Sequence, residues 1–475
     1  MRIGPKRSLA RGPARATPQR ADRALDAGLQ RIREQFHVPS GFPPAAALGA
    51  VQAAGRRPGP THVDRTDRPF VTLDPAGSTD LDQAFALERA GADVVLHYAI
   101  ADVGFFVDHG DAVDGEAWTR GVTVYLPAER ARLYPATLSE GAASLLPDGP
   151  RPAVVFTVRV DEAGAARLDG VERALVRSHA KLAYETVRPA DLPPELHDLA
   201  RRVDAAEDAR GAPRVEFPEQ ELVEVDGHWE LRFDPRLPSE DVNAGLSLAT
   251  NIAVADALLA ARTGLFRVMA EPTEAAVRRL RQTARAFGLT WPATQSLAEF
   301  QRSLSTAEPR AAAFLLAVRR AGGGASYAPY RPDATPWHAA MAATYAHATA
   351  PLRRLADRYV VEAMLAIANG RAVPDEVTAA FADLPAAMAK GEQRANSVER
   401  AVIDLAEAVL LSERVGAVFD GVVVDEDQRG AVVQLVDPAV MARVAANSVE
   451  PGDPVRVKLV DVDPVARTIE FSRIG

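Results

Sequence analysis

The chain has 475 residues, 47% of them hydrophobic, a formal net charge of −9 and no cysteine. That length predicts two or three domains with ample apolar content for a large core, the missing thiols exclude disulfides and thiolate metal sites and suit a reducing cytosol, and the negative balance argues against a protein that coats nucleic acid indiscriminately while leaving room for basic groups that line one channel. No apolar run approaches bilayer-spanning length and no hydrophobic region of the secretory kind follows the basic N-terminus, so a soluble, cytoplasmic, monomeric protein without a membrane partner is expected.

Taken in order, residues 1–20, with Pro5, Pro13 and Pro18 among basic side chains, read as a disordered tail. From Ala21 an apolar period at Leu25, Leu29, Ile32 and Phe36 predicts a helix. Pro39 to Pro44 breaks it, and Ala45 to Ala54 predicts a second, shorter one. Residues 21–64 therefore read as a small helical module compatible with a helix-turn-helix. The nine Lys or Arg against three acids over residues 1–35 suit either an arm that touches nucleic acid or a solvated tail with a packing helix.

The stretch from Phe70 to Ala84 is the most informative, because Asp74, Asp80 and Asp82 fall within nine residues. A β-rich run ends at Asp74, Pro75-Ala76-Gly77 turns the chain, and Asp80 and Asp82 share a face in extended backbone. Three carboxylates can thus converge. Such crowding is costly unless a hard cation neutralises it, and Mg²⁺ is suited to the task because it is held by one or two carboxylates together with waters and substrate phosphates. A lone Asp-x-Asp is common on solvated loops, so the surrounding residues matter. The string Thr72-Leu73-Asp74, five residues, then Asp80-Leu81-Asp82-Gln83-Ala84 resembles the signature of the RNase II/RNase R (RNB) family of processive 3′→5′ exoribonucleases.

The resemblance continues in family order. Residues 66–180 read as β-rich, with Asp93–Ile100 and Ala153–Val160 the clearest strands. His97 to Val103 is similar to the strand after the aspartates, Val124-Tyr125-Leu126-Pro127 to a Tyr-Leu-Pro motif, and Ala143 to Pro147 with Arg151-Pro152 to a Ser-Leu-x-Pro segment. Arg210-Gly211-Ala212 is similar to a family element, a hairpin from Glu221 to Phe233 is closed by Asp226-Gly227, and a helix is predicted over Pro238–Thr263 with Asn251 at a family position. Departures occur as well. Ala244 and Gly245 replace two acids, Met269 replaces a histidine, and Gln83 replaces a fourth aspartate.

Tyr345 to Arg358 resembles the second family signature. Pro351 is placed to open a helix, with Arg353 and Arg354 just inside its first turn. Positive charge there is unfavourable for the helix alone, and an anion relieves it, so the pair reads either as a phosphate site or as side chains paired with Asp357 on a solvated face. Long helices are predicted over residues 374–414, where Val398-Glu399-Arg400 resembles a family element. Short β-runs from Arg414 onward resemble the OB fold that ends family members. Residues 413–475 hold seven basic against eleven acidic side chains, with Phe419 and Phe471 the only aromatics, so RNA contact there is expected to be loose and sequence-independent.

The resemblance implies an α+β protein: an RNB-like catalytic domain of mixed sheet and helices over 65–412 and a C-terminal OB barrel over 413–475. Family members usually carry two cold-shock domains ahead of the catalytic domain, and about 65 residues do not contain them. Substrates are therefore expected to be selected differently, with some tolerance of structured RNA. The implied reaction is hydrolysis of RNA from its single-stranded 3′ end to nucleoside 5′-monophosphates. Asp74, Asp80, Asp82 and Gln83 would hold Mg²⁺, with Mn²⁺ as the alternative. Asp82, Asp80, Arg353 and Glu399 would be catalytic, and Tyr125, Arg354 and Tyr345 would bind substrate, Tyr125 by stacking on the terminal base. Gln83 adds an oxygen but no charge, so a need for higher Mg²⁺ or a preference for Mn²⁺ is expected. The competing reading is a catalytically weak relative acting as an RNA-binding or assembly factor. A metal phosphatase for small esters would leave the RNA-type tail unexplained.

Overall fold

In the computed structural model of the protein, residues 18–127, 129–213, 219–225, 228–234, 237–305, 308–427, 430–435, 440–445, 449 and 453–474 are described. They are mixed α and β and divide into two compact units. The larger comprises residues 38–218 and 235–397, the smaller residues 1–37, 219–234 and 398–475.

The larger unit is organised around a closed barrel. Its strands are β1 (Val63–Asp74), β2 (Gln83–Ala90), β3 (Asp93–Ala101), β6 (Arg151–Val160) and β7 (Ala166–Ala183), and the short hairpin β4 (Val124–Leu126) and β5 (Glu129–Ala131) lies between β3 and β6 in sequence. Closure comes from a parallel pairing of β1 with β7, while the other neighbours are antiparallel. β3 is buried at every position from Val94 to Ala101. That explains its near-continuous apolar sequence, since a strand covered on both faces has no reason to alternate. Phe70, Leu96, Tyr98, Phe156 and Val176 fill one core with Leu246, Val254 and Leu258 of the helix Pro238–Ala260 and with Leu355, Tyr359 and Met364 of the helix Leu355–Ala368.

The helix Pro238–Ala260 corrects one expectation. Its most apolar 18-residue window has a mean hydropathy of 1.4, long and apolar enough by length and composition to cross a membrane. Half of that window is buried inside the protein, which is how a core helix passes the same test. Gly121 fixes a second feature that positions the site. Its φ is +72°, and a β-carbon there would lie 2.7 Å from the carbonyl oxygen of Ala387, so only glycine fits this crossing of chain and helix.

The smaller unit contains the helix Pro18–Gln35, the antiparallel hairpin Glu219–Val225 with His228–Asp234, the last part of the long helix Asp375–Leu411, and a closed five-stranded barrel (Val418–Asp427, Gly430–Leu435, Met441–Ala445, Pro454–Asp463 and Thr468–Arg473). In Pro454–Asp463 the inward Val455, Val457 and Leu459 alternate with outward Arg456 and Lys458, the period of a strand covered on one face. Phe419 and Phe471 are buried against each other, ring centroids 6.0 Å apart, so neither ring is on the surface to stack on a base.

The helical module expected over 21–64 is not one body. Leu25 and Ile32 are buried in the smaller unit, where Gly28 lets the Leu405 side chain approach the helix, whereas the helix Pro44–Ala54 belongs to the larger unit and buries Ala46, Ala50 and Ala53 there. The two helices pack on different partners, which a helix-turn-helix does not allow. The Asp226-Gly227 turn and all but the last residues of the basic tail lie outside the described residues.

Candidate active site

The aspartate loop leaves β1 at Asp74 and turns through a Ser78 N–H to Pro75 carbonyl bond of 3.0 Å. It is pinned from two sides. The Ser144 hydroxyl accepts the Leu81 N–H at 2.9 Å and donates to the Thr79 carbonyl at 2.8 Å, and the Leu145 N–H donates to the Leu81 carbonyl at 2.9 Å. On β7 and just after it, Lys181 donates to the Ala76 carbonyl at 2.9 Å and Glu185 accepts the Ala76 N–H at 3.1 Å. The Ser-Leu-Leu-Pro segment is therefore a brace for the aspartates, a role that its sequence did not announce.

Asp82 is buried, and one of its oxygens accepts the Leu352 N–H at 2.7 Å while the other lies 3.4 Å from Arg353 Nε. Desolvation pushes Asp74 up to about 6 and Asp82 up to about 7; Arg353 pulls both down and the nearby Asp80 charge raises both. Crowded carboxylates with raised pKa values are what a cation-binding acid site looks like without its cation. The donor set, oxygen only, fits a hard divalent ion. Among the described residues, however, no three acidic or histidine side chains converge on one point, and Asp80 is ion-paired with Arg130 of β5.

The arginine segment corrects the helix prediction. The helix begins at Leu355, with Arg354 as its N-cap, so Pro351 to Arg354 form a turn ahead of it. The reason is that this turn's backbone groups are claimed by partners elsewhere in the chain. Asp82 takes the Leu352 N–H, the Thr123 N–H donates to the Arg353 carbonyl at 3.0 Å, and the Gly121 carbonyl takes the Leu355 N–H at 3.0 Å. Asp357, fully buried, accepts the Ala350 N–H at 2.8 Å and a two-pronged pair from Arg354 at 2.9 and 2.6 Å. Arg354 is thereby a brace for the turn and not an open substrate ligand. Arg353 keeps 45% of its side chain exposed beside Asp82.

Three further expected residues are placed as follows. Gln83 donates from Nε2 to the Thr349 carbonyl at 2.7 Å and accepts at Oε1 from Tyr98 and, at 3.5 Å, from Ser247, so both ends of its amide are engaged inside the fold. Tyr345 is buried, its hydroxyl accepting from Asn251 Nδ2 at 3.0 Å, while Asn251 Oδ1 takes the Ala348 N–H at 3.0 Å. It supports the segment ahead of the arginine turn. Glu399 is exposed and belongs to the smaller unit.

Tyr125 matches its expectation in geometry. It is 52% exposed, yet burial of its hydroxyl end, with Asp80 and Asp82 adding and Arg353 and Arg130 opposing, pushes the phenol up to about 12. It stands directly opposite Arg130 in the β4–β5 pairing. Sequence reasoning missed Arg130 altogether. Pro127 directly after the Val124-Tyr125-Leu126 run is a turn signal, and counting across a hairpin there would have put Arg130 opposite Tyr125.

An exposed arginine and an exposed tyrosine thus lie beside the acid cluster that the barrel carries. The family model for the RNB domain matches residues 62–369, and that for the RNase II-type exonuclease C-terminal S1 domain matches residues 417–474; the chain belongs to the RNB family. Ribonuclease R of Escherichia coli (strain K12) is 27% identical over 477 residues, an alignment covering 87% of this chain and 57% of that protein, so the chain spans little more than half the length of this relative. Two solved structures of Mycoplasma genitalium RNase R share the fold. One is in complex with ribose methylated single-stranded RNA, with TM-score 0.85, 19% identity and coverage of 95% of this chain and 78% of that one. The other is in complex with double-stranded RNA, with TM-score 0.83, 20% identity and coverage of 95% and 83%. Yeast Ssd1, a pseudonuclease, shares it more distantly, with TM-score 0.67, 16% identity and coverage of 91% and 57%.

Proposed function

We propose that the protein is a divalent-metal-dependent 3′→5′ exoribonuclease that releases nucleoside 5′-monophosphates. The observation that carries this reading is the pairing of buried Asp82 with half-exposed Arg353 at 3.4 Å, beside Asp74 and Asp80. Asp74, Asp80 and Asp82 would hold Mg²⁺ or Mn²⁺, which supplies Lewis-acid activation of water and stabilisation of the leaving oxygen. Arg353, fixed by its own backbone, is positioned to neutralise charge growing on the scissile phosphate. Tyr125 offers an open ring on which the last base stacks whatever its identity. RNA is the partner this arrangement suits, and the fold it shares with an RNase R that is known in complex with single- and double-stranded RNA supports it.

The second reading, an RNA-binding factor with a weak site, draws on one observation: Asp80 is neutralised by Arg130 and Gln83 is tied into the fold. A time course with 5′-labelled single-stranded RNA and Mg²⁺ separates the two, run beside Asp82→Asn and an RNA blocked at its 3′ end. Stepwise shortening from the 3′ end, abolished in both controls, is the expected result. RNA that is bound but intact even with Mn²⁺ favours the binding factor.

A further inference from the structure

Arg130 has no part in the reaction just described, yet it holds one of its three acids. Its guanidinium is ion-paired with Asp80, and both side chains are largely buried, 22% and 11% exposed. A second acid waits on its other side. Glu140 lies 3.6 Å from Arg130 Nε and is already held by Arg132 at 2.8 Å. Arg130 thus sits between two carboxylates, only one of which belongs to the acid cluster. A guanidinium neutralises Asp80 much as a metal does, but it has donors only and no open coordination position, so it cannot activate water. Guanidinium and divalent cation also repel each other, and they cannot share one carboxylate at low cost.

We propose that Arg130 is the resting counter-ion of Asp80, displaced towards Glu140 when a divalent cation takes that carboxylate. Arg130 and Tyr125 are directly opposed across a two-stranded hairpin, where side chains on one face lie in contact. Displacement of Arg130 therefore resets the surroundings of the exposed tyrosine ring. Metal loading and the grip on the terminal base become coupled through this single hairpin. Arg130 is on this view a positioning residue, which keeps the acids apart and the protein stable until the cation arrives.

The inference rests on the metal-dependent reading above, so its test measures metal binding directly and needs no turnover. Mn²⁺ is titrated calorimetrically into the full chain, its Arg130→Met and Glu140→Gln variants, and Asp80→Asn as the control, each checked for folding by thermal melting. The expected result is that Arg130→Met binds Mn²⁺ about tenfold more tightly than the unaltered protein, because no counter-ion has to leave. Glu140→Gln should bind it more weakly, because the displaced guanidinium loses its second partner. Equal or weaker binding by a well-folded Arg130→Met overturns the proposal while leaving the metal site intact. Absence of Mn²⁺ binding in both the unaltered protein and Arg130→Met overturns the metal-dependent reading itself, and the proposal with it. Arg130→Lys, which keeps the charge but loses the fork, should fall between the two and guards against a variant that merely loosens the hairpin.

Discussion

Gln83 stands where the family carries a fourth aspartate, and its amide joins two parts of the site: Nε2 reaches the Thr349 carbonyl and Oε1 receives Tyr98 and Ser247. An aspartate at this position is one methylene shorter and has no donor, so it falls short of Tyr98 and Ser247 and leaves the Thr349 carbonyl without its partner and near a negative charge. Gln83→Asp is therefore expected to destabilise the protein by roughly 1–3 kcal/mol, the usual cost of an unsatisfied or repelled buried polar group. It should bring no gain in Mg²⁺ affinity. Thermal melting alongside a Mg²⁺ titration checks both halves, and a stable variant that binds Mg²⁺ more tightly would return Gln83 to the metal site. The two arginines of the turn show what a one-dimensional reading can reach at this scale. Adjacent in sequence, they separate in space because Arg354 has Asp357 three residues on as a two-pronged partner, whereas Arg353 lies against the edge of Asp82. The Asp357 alternative was open from the sequence; which arginine took it was not.

At the scale of elements, the helix Leu355–Ala368 shows why boundaries were harder to read than the elements themselves. β3 and β6 announced themselves by apolar runs, whereas this helix starts after Arg354 because Asp82 and Gly121, far away in sequence, claim backbone groups of the turn. The same helix is anchored by a buried network in which Arg358 donates to Asp114 at 2.7 Å and Glu362 at 2.9 Å, while His109 bonds Glu362 at 2.6 Å. The bond to Glu362 raises the His109 pKa above 6.5. Burial alone would raise Glu362, but His109 and Arg358 hold it below 4.5. A raised histidine stabilises the fold below its unfolded value and loses that contribution as pH climbs through its folded one; a lowered glutamate does the reverse at the acid end. The pair contributes most between 4.5 and 6.5. His109→Gln should accordingly lower the melting temperature at about pH 5.5 and leave it nearly unchanged at about pH 8.5. An equal loss at both values would show that packing, and not the charge pair, is what His109 supplies.

For the molecule as a whole, length suggested two or three domains but could not assign segments to bodies. The N-terminal helix Pro18–Gln35 and the helix Pro44–Ala54 are neighbours in sequence and members of different units, because the partner of Gly28 is Leu405, hundreds of residues later. The terminal barrel was legible from its short β-runs, and its two aromatic side chains turn out to be core, in keeping with the weak stacking expected of it. Under the function proposed above, base gripping would fall to Tyr125, which is exposed in the larger unit. On that basis a duplex with a single-stranded 3′ extension should be shortened into its paired region, and gel-resolved digestion of such a duplex tests this. Arrest many nucleotides before the first base pair would contradict it.

The clasp on the arginine turn has one more consequence. Leu352 is held by its N–H, Arg353 by its carbonyl and Thr349 by its carbonyl, so the turn that carries Arg353 is fastened through main-chain atoms that survive when the side chain is removed, with the Asp82 carboxylate still beside the gap. Cutting Arg353 back to alanine should leave a vacancy of the right shape, and dilute free guanidinium added to that variant should then restore part of its lost turnover, behaving as a detachable piece of the protein.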